Sequence, residues 1–163
     1  MYNVVPDQQL LPMVQARPPI RVMIYSARQP TSGCAGKFLQ LELKHTTWLL
    51  FSSTGTHRFH NQILARFLAE QSISHRWVTP EQLEYDEGHV TVSGGGRFSV
   101  DFAASLIEFW DDSTVFGRFD PGQLISQMRA AGPPWSALRI NIRQLSAPGD
   151  ARPGRQQASG KST

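Results

Sequence analysis

The stretch HVTVSGGGRFSVDFAASLIEFWDDSTVFG, residues 89–117, contains two strand-like runs, and each run is followed by residues that suit anion binding. The run Val90–Val92 leads into Ser93–Arg97, whose consecutive glycines can adopt positive φ and turn several N–H groups toward one point. The run Ser105–Trp110 leads into Asp111–Thr114. The stretch therefore predicts two strand ends that together form a phosphate cradle, or else a plain glycine hairpin with a solvated arginine.

The segments that precede this stretch predict two strands and a helix. Leu39, Leu41 and Leu43 alternate with polar residues, which is typical of a strand, and Trp48–Phe51 predicts a second, more buried strand. A helix over about residues 57–71 is indicated by apolar residues at helical spacing: Phe59, Ile63, Leu64, Phe67 and Leu68. Its first turn would contain His57, Arg58 and His60.

The remaining segments complete an α+β fold. Residues 75–79 read as a strand, and residues 82–92 read as a hairpin across an acidic turn. Asp120 is the candidate cap of a second helix with Pro121 in its first turn, and Leu138–Ile142 alternates as a last strand. The expected fold is a single mixed sheet of about six strands flanked by two helices.

Composition predicts one domain with flexible ends. We expect a flexible segment over 1–35, a single catalytic-type domain over 36–145 and a disordered tail over 146–163, where Ser, Gly, Pro, Gln and Arg prevail. The single cysteine excludes a disulfide framework. No apolar run approaches membrane-spanning length and no secretion signal is visible, so a cytoplasmic protein without a membrane partner is expected. Nothing in the sequence indicates an obligate interface, so a monomer is expected.

Three segments resemble the phosphohistidine phosphatase family, the Janus/ocnus group of small proteins. Gly36–Leu39 is similar to the family's opening strand, and Arg58–Ile63 is similar to its aromatic-His-x-x-Ile helix start. Gly94–Phe98 resembles the family's GGGR motif, and Asp112–Gly117 resembles its serine turn, with the family's separation between the two motifs. The resemblance covers about residues 37–144. It implies a distant relative with a phosphohistidine-phosphatase-like fold.

The resemblance also implies a reaction and the residues that perform it. His60 would be the catalytic base or nucleophile that hydrolyses a phosphoramidate P–N bond, without a metal or other cofactor. Its position at a helix start favours the neutral imidazole. The substrate would be a phosphorylated protein or a small phosphoramidate. Phosphate would be bound by six residues, with Arg58 as a possible seventh: Lys37, Gly95, Gly96, Arg97, Ser113 and Thr114.

One departure from the family leaves a second function open. Where the family usually has a basic residue ahead of its histidine, this chain has Ser52-Ser53-Thr54-Gly55. A non-catalytic module that binds phosphate or a phosphoprotein on the same fold is therefore the alternative. A nucleic-acid-associated role through Arg139, Arg143 and the tail ranks last, because the net charge of +3 is small. His57 and His60 have metal-ligand spacing but no identifiable third ligand.

Overall fold

A computed structural model describes residues 18–28 and 30–144 of the chain. Within these residues there are eight strands, two α-helices and one short 3-10 turn. In chain order the elements are β1 (Ile20–Tyr25), β2 (Gly33–Leu43), β3 (Thr46–Ser53), α1 (His60–Glu70), β4 (His75–Thr79), β5 (Gln82–Tyr85), β6 (Val90–Asp101), β7 (Leu106–Trp110), α2 (Pro121–Ala130), the turn Trp135–Ala137 and β8 (Arg139–Ile142).

Six of these strands form one mixed sheet in the order β1-β3-β2-β6-β7-β8, and β4 and β5 form a separate two-stranded sheet. The outer pairs β1/β3 and β7/β8 are parallel, whereas β2 is antiparallel to both β3 and β6. The predicted α+β class, with a six-stranded mixed sheet and two helices, is confirmed. β2 and β6 lie at the centre, so residues on both strands meet in the middle of the sheet.

The two helices cover opposite faces of the six-stranded sheet. Successive strand residues point to opposite faces, and accordingly Leu39 packs with Ile63 and Phe67 of α1, whereas its neighbour Phe38 packs with Leu124 of α2. The α2 side is rich in phenylalanine: Phe38, Phe51, Phe98, Phe109 and Phe119 are fully buried there. α2 begins as predicted, because the Asp120 side chain accepts a hydrogen bond from the Gln123 N–H.

The predicted hairpin over 82–92 is wrong. β5 pairs with β4, with Trp77 opposite Leu83, and the turn between them is Pro80-Glu81. Val90 and Val92 instead begin the long strand β6 and pair with Leu43 and Leu41 of β2. The reason is tertiary: both valines add to the apolar cluster beneath α1, which a local hairpin would not allow.

The sheet extends into the segment for which flexibility is predicted. β1 pairs in parallel with β3 from Ile20↔Thr47 to Tyr25↔Ser52, and β2 already begins at Gly33. The predicted flexible residues 1–17 and the predicted tail 146–163 lie outside the described residues. No helix of the described chain is long and apolar enough to cross a membrane.

Candidate functional site

The glycine triplet lies inside β6, not at a strand end as predicted. Gly94, Gly95 and Gly96 pair with Gln40, Leu39 and Phe38 of β2, and the Gly95 N–H donates to the Gly117 carbonyl at 3.1 Å. The predicted cradle of free glycine N–H groups is therefore not formed at Gly95. A ladder strand satisfies its backbone donors internally, and donors used in this way cannot bind an anion.

The triplet instead allows close packing around the centre of the sheet. A Cβ added at Gly95 would lie 2.6 Å from the Phe38 carbonyl oxygen and 3.1 Å from Cδ2 of His60, and one at Gly96 would lie 2.6 Å from the Trp110 carbonyl oxygen. Contacts under 3.0 Å are essentially never made by real Cβ atoms. Glycine is therefore required so that neighbouring backbone and the His60 ring can approach β6.

His60 is the first residue of α1, and the turn before it is fixed by one side chain. The Gln62 amide oxygen accepts hydrogen bonds from the N–H groups of Arg58 and Phe59, at 2.8 and 3.1 Å. This arrangement gives a partner to the N–H of the cap residue Phe59, which a helix start leaves unpaired, and to the N–H of Arg58 before it. The His60 ring is thereby directed onto β6, where its Nε2 lies 3.0 Å from the Gly96 carbonyl oxygen.

The hydrogen bond to Gly96 fixes the tautomer of His60. A carbonyl oxygen only accepts, so Nε2 carries the proton and donates it, and the neutral ring has its lone pair on Nδ1. Nδ1 has no hydrogen-bond partner among the described residues, and no buried side-chain nitrogen or oxygen of these residues lacks a partner. Nδ1 is therefore accessible to solvent, although only 6% of the residue's surface is exposed.

The environment favours the neutral form of this ring. Burial lowers the pKa of His60 below its ordinary value, and the positive charge of Lys37 lowers it further. The hydrogen bond to the Gly96 carbonyl opposes this effect, as do the charge of Asp111 and, least, the nearby carbonyl of Phe38, but together they do not cancel it. His60 is thus an uncharged base at neutral pH, with one nitrogen anchored and the other available.

Three cations lie close to one another, and the charge of one of them, Lys37, reaches His60. Lys37 on β2 lies directly across the ladder from Arg97 on β6, and Arg58 lies just before α1. The pKa of Lys37 is lowered by burial, then by the charge of Arg97, and to a smaller extent by Arg58, while Asp111 raises it. Two of the cations lie near the ring of Phe59, since Lys37 Nζ and Arg58 Cζ are 5.8 and 5.2 Å from its centroid. Three such charges in proximity favour an anion between them.

One carboxylate partly balances this charge. Asp111 follows β7, and its Oδ2 lies 3.3 Å from Nε of Arg97 in a half-exposed ion pair. Of the three cations, only Arg97 makes an ion pair with an acidic side chain of the described chain. By formal charge, the cluster of Lys37, Arg58, Arg97 and Asp111 therefore carries about +2.

These cations line a groove with a volume of about 420 Å³. Its walls come from β2, the loop 54–58 and the paired strands β6 and β7, and they include Lys37, Arg58 and Arg97 together with His57 and Trp110. The structure thus brings together three residues that the sequence predicts to bind phosphate: Lys37, Arg97 and the possible contact Arg58. His60 is not part of this lining. A larger cavity of about 580 Å³ lies between α2 and β2, and among the described residues that line it only Glu42 is charged.

Ser113 and Thr114 do not line the groove. Ser113 is buried, its N–H donates to the Gly117 carbonyl at 3.1 Å, and its hydroxyl accepts the Phe116 N–H at 3.1 Å. Thr114 is exposed at the tip of the same loop. These hydrogen bonds close the loop 113–117, and the bond between Gly117 and Gly95 attaches it to β6. Ser113 therefore stabilises the loop, whereas its motif predicts that it binds phosphate.

Two features of the site were not predicted from the sequence. Asp111 forms an ion pair with Arg97, and Trp110 lines the groove. Both follow from the register Arg97↔Trp110 between β6 and β7, which no local pattern reveals. No group of three or more His, Cys, Asp or Glu side chains in the described residues is arranged to hold a metal ion.

Comparison with known proteins does not assign the chain to a family. No protein-family model matches it, and no curated protein matches it either. The resemblance to the phosphohistidine phosphatases therefore stays a prediction, and function has to be argued from the site.

Proposed function

We propose that the chain is a phosphohistidine phosphatase in which His60 acts through Nδ1 as base or nucleophile. The observation that carries this proposal is the hydrogen bond from His60 Nε2 to the Gly96 carbonyl at 3.0 Å. It gives a neutral imidazole whose free lone pair is on the solvent-accessible nitrogen, and the charge of Lys37 reaches this ring. A base or nucleophile near a transferable phosphoryl group needs this protonation state.

Two routes use the same nitrogen. In one, Nδ1 takes a proton from a water molecule as the water oxygen bonds to phosphorus and the P–N bond breaks, and the substrate imidazole leaves with the P–N electron pair and takes a proton from solvent. In the other, Nδ1 bonds to phosphorus itself, the substrate imidazole leaves with the P–N electron pair and takes a proton, and water later releases phosphate from His60. In both routes His60 gains positive charge, which the Gly96 carbonyl stabilises because it continues to accept from Nε2.

The cations supply the charge that phosphoryl transfer requires. Lys37, Arg58 and Arg97 surround the groove, and positively charged groups already in place stabilise the charge on the equatorial oxygens of the transferred group. Arg58 approaches from the loop that follows the serine-rich segment 52–55. We propose that it supplies the positive charge for which the family uses a residue at that segment.

The state of His60 predicts a pH profile for turnover. Because burial and Lys37 lower its pKa, kcat/KM of a phosphohistidine substrate should be constant at neutral pH and fall only below the ordinary histidine pKa of about 6.5. Lys37→Met removes a charge that lowers this pKa, so the acid limb should move to higher pH. Both profiles are measured with the same substrate, so ionisation of the substrate cancels. An acid limb that is unchanged in Lys37→Met would contradict the assignment of this limb to protonation of His60.

A second function, phosphate binding without turnover, is favoured by one observation: the groove is lined by the three cations, whereas His60 is not part of its lining. A binding module would use the cations and leave His60 as a support of β6. Phosphoprotein recognition would then depend on Arg97 and not on Nδ1 of His60.

Binding and turnover measured together separate the two functions. We expect Arg97→Ala to weaken binding of inorganic phosphate by about tenfold or more, since hydrogen bonds between charged groups contribute about 1.5–3 kcal/mol. We expect His60→Gln to bind phosphate nearly as the wild type does, but to lose turnover. Titration by NMR gives the affinities, with His45→Ala as control because His45 is exposed in the β2–β3 turn. Equal binding by Arg97→Ala and wild type would contradict both functions.

A further inference from the structure

His57 is a second histidine at the groove, three residues before His60, and the sequence assigns it no task beyond a metal pair with His60. It is half-buried and lines the groove with Lys37, Arg58 and Arg97. Its Nδ1 lies 2.7 Å from Oγ of Ser52. Ser52 is a buried β3 residue, 1% exposed, so this nitrogen faces the protein interior.

The Ser52 contact fixes which nitrogen of His57 carries the proton. The hydroxyl of Ser52 has no other hydrogen-bond partner among the described residues. If His57 donated from Nδ1, the buried hydroxyl proton would have no acceptor, at a cost of about 1–3 kcal/mol. Ser52 therefore donates to Nδ1, and the neutral His57 ring carries its proton on Nε2.

Nε2 of His57 is directed away from Ser52 and has no partner in the described part of the chain. Every buried side-chain nitrogen and oxygen there has one, so this N–H reaches solvent. The ring itself is held in place by Tyr25, which it meets edge-on with centroids 5.6 Å apart, and the Tyr25 hydroxyl donates to Glu70 at 2.7 Å. Burial, and then Arg66, lower the pKa of His57, with Glu70 opposing them.

We propose that His57 is a further phosphate-binding residue, whose Nε2–H, oriented by Ser52, donates to an oxygen of the phosphoryl group that the cations hold. This inference rests on the proposed function and deepens it. Ser52 and His57 together supply a neutral, oriented donor at the segment where the resemblance implies a basic residue. The ligand class is a phosphoramidate or phosphate dianion, because one neutral donor and three cations suit an oxyanion with several acceptor oxygens.

The test compares His57→Ala and His57→Gln with wild type at about pH 7.5. Inorganic phosphate is titrated by NMR, and KM and kcat are measured separately on a phosphohistidine-bearing protein. We expect His57→Ala to bind phosphate about tenfold more weakly and to raise KM, since it loses a hydrogen bond to a charged group. His57→Gln should recover most of the affinity, because its amide presents an N–H at a comparable distance. His45→Ala is the matched surface control.

A measurement on the wild type needs no variant and tests the tautomer directly. Ring nitrogen NMR should show His57 with Nε2 protonated and Nδ1 unprotonated, and the Nε2 proton should shift when phosphate is added. Phosphate affinities of His57→Ala and His57→Gln equal to that of wild type, or a proton on Nδ1, would overturn this inference and leave the proposed function standing. A wild type that binds no phosphate would overturn both.

Discussion

Replacing His60 with alanine should remove turnover of a phosphohistidine-bearing protein, with kcat lowered by at least a factor of about 10²–10⁴, the contribution typical of a positioned acid or base. The variant loses the only imidazole of the described chain that is anchored on β6 and has an accessible Nδ1. Release of inorganic phosphate, followed by ³¹P NMR, measures the effect.

His60→Gln is the matched variant that separates chemistry from packing. Its amide nitrogen can donate to the Gly96 carbonyl as Nε2 does, but it offers no nitrogen lone pair. We therefore expect a folded protein that is as inactive as His60→Ala. Turnover that persists in His60→Gln at the wild-type rate would show that Nδ1 takes no part in the reaction.

Gly95→Ala should strongly destabilise the protein, because it adds a methyl group at the centre of the main sheet. The new Cβ would lie 2.6 Å from the Phe38 carbonyl oxygen, which is backbone of the neighbouring central strand, and 3.1 Å from the His60 ring. Forced repacking of this kind lowers the free energy of unfolding by about 3 kcal/mol. For a chain of this size that corresponds to a fall in Tm of roughly 6–12 °C. Turnover should fall as well, because the added methyl group displaces the His60 ring from β6 and lengthens its hydrogen bond to the Gly96 carbonyl.

Gly122→Ala is the control for this glycine. Gly122 lies in the first turn of α2, and an added Cβ would meet only the Asp120 carboxylate, at 3.6 Å. The free energy of unfolding of Gly122→Ala should be unchanged or slightly raised, since alanine restricts the unfolded chain more than glycine does. Thermal unfolding followed by circular dichroism measures both variants. A Gly95→Ala protein as stable as Gly122→Ala would contradict the packing role assigned to the triplet.

The helices could be predicted from the sequence because their signals are local. The apolar recurrence over 57–71 contains α1, and Asp120 with Pro121 marks the start of α2 at the observed residue. Both signals depend on residues a few positions apart, and the helix-start side chains need no distant partner to act. The class and strand number of the main sheet were predictable for the same reason.

Strand pairing depends on distant residues and was predicted less well. The expected turn at Asp86-Glu87-Gly88 is present, but the strand after it pairs with β2, more than forty residues earlier in the chain. The glycine triplet was misinterpreted in the same way. Glycines that turn a chain and glycines that allow two strands to approach are identical in sequence, and only the neighbouring strands distinguish them.

In the candidate site, too, some residues could be predicted from local motifs and others depend on distant parts of the chain. Lys37, Arg58 and Arg97 were named from the sequence and line one groove, whereas Gly95 and Ser113 use their N–H groups within the fold. The Ser52–His57 pair was missed. A serine and a histidine five residues apart in sequence do not indicate a hydrogen bond. The contact arises because β3 and the loop after it place Ser52 Oγ 2.7 Å from His57 Nδ1.

The most direct test of the account is hydrolysis of a phosphohistidine-bearing protein by the wild type, in the presence of a chelator and without added metal, followed by ³¹P NMR. The account predicts that inorganic phosphate appears with wild type and stays at the uncatalysed background with His60→Gln. A wild type that binds phosphate but never exceeds the background would contradict catalysis at His60 and identify the groove as a binding site alone.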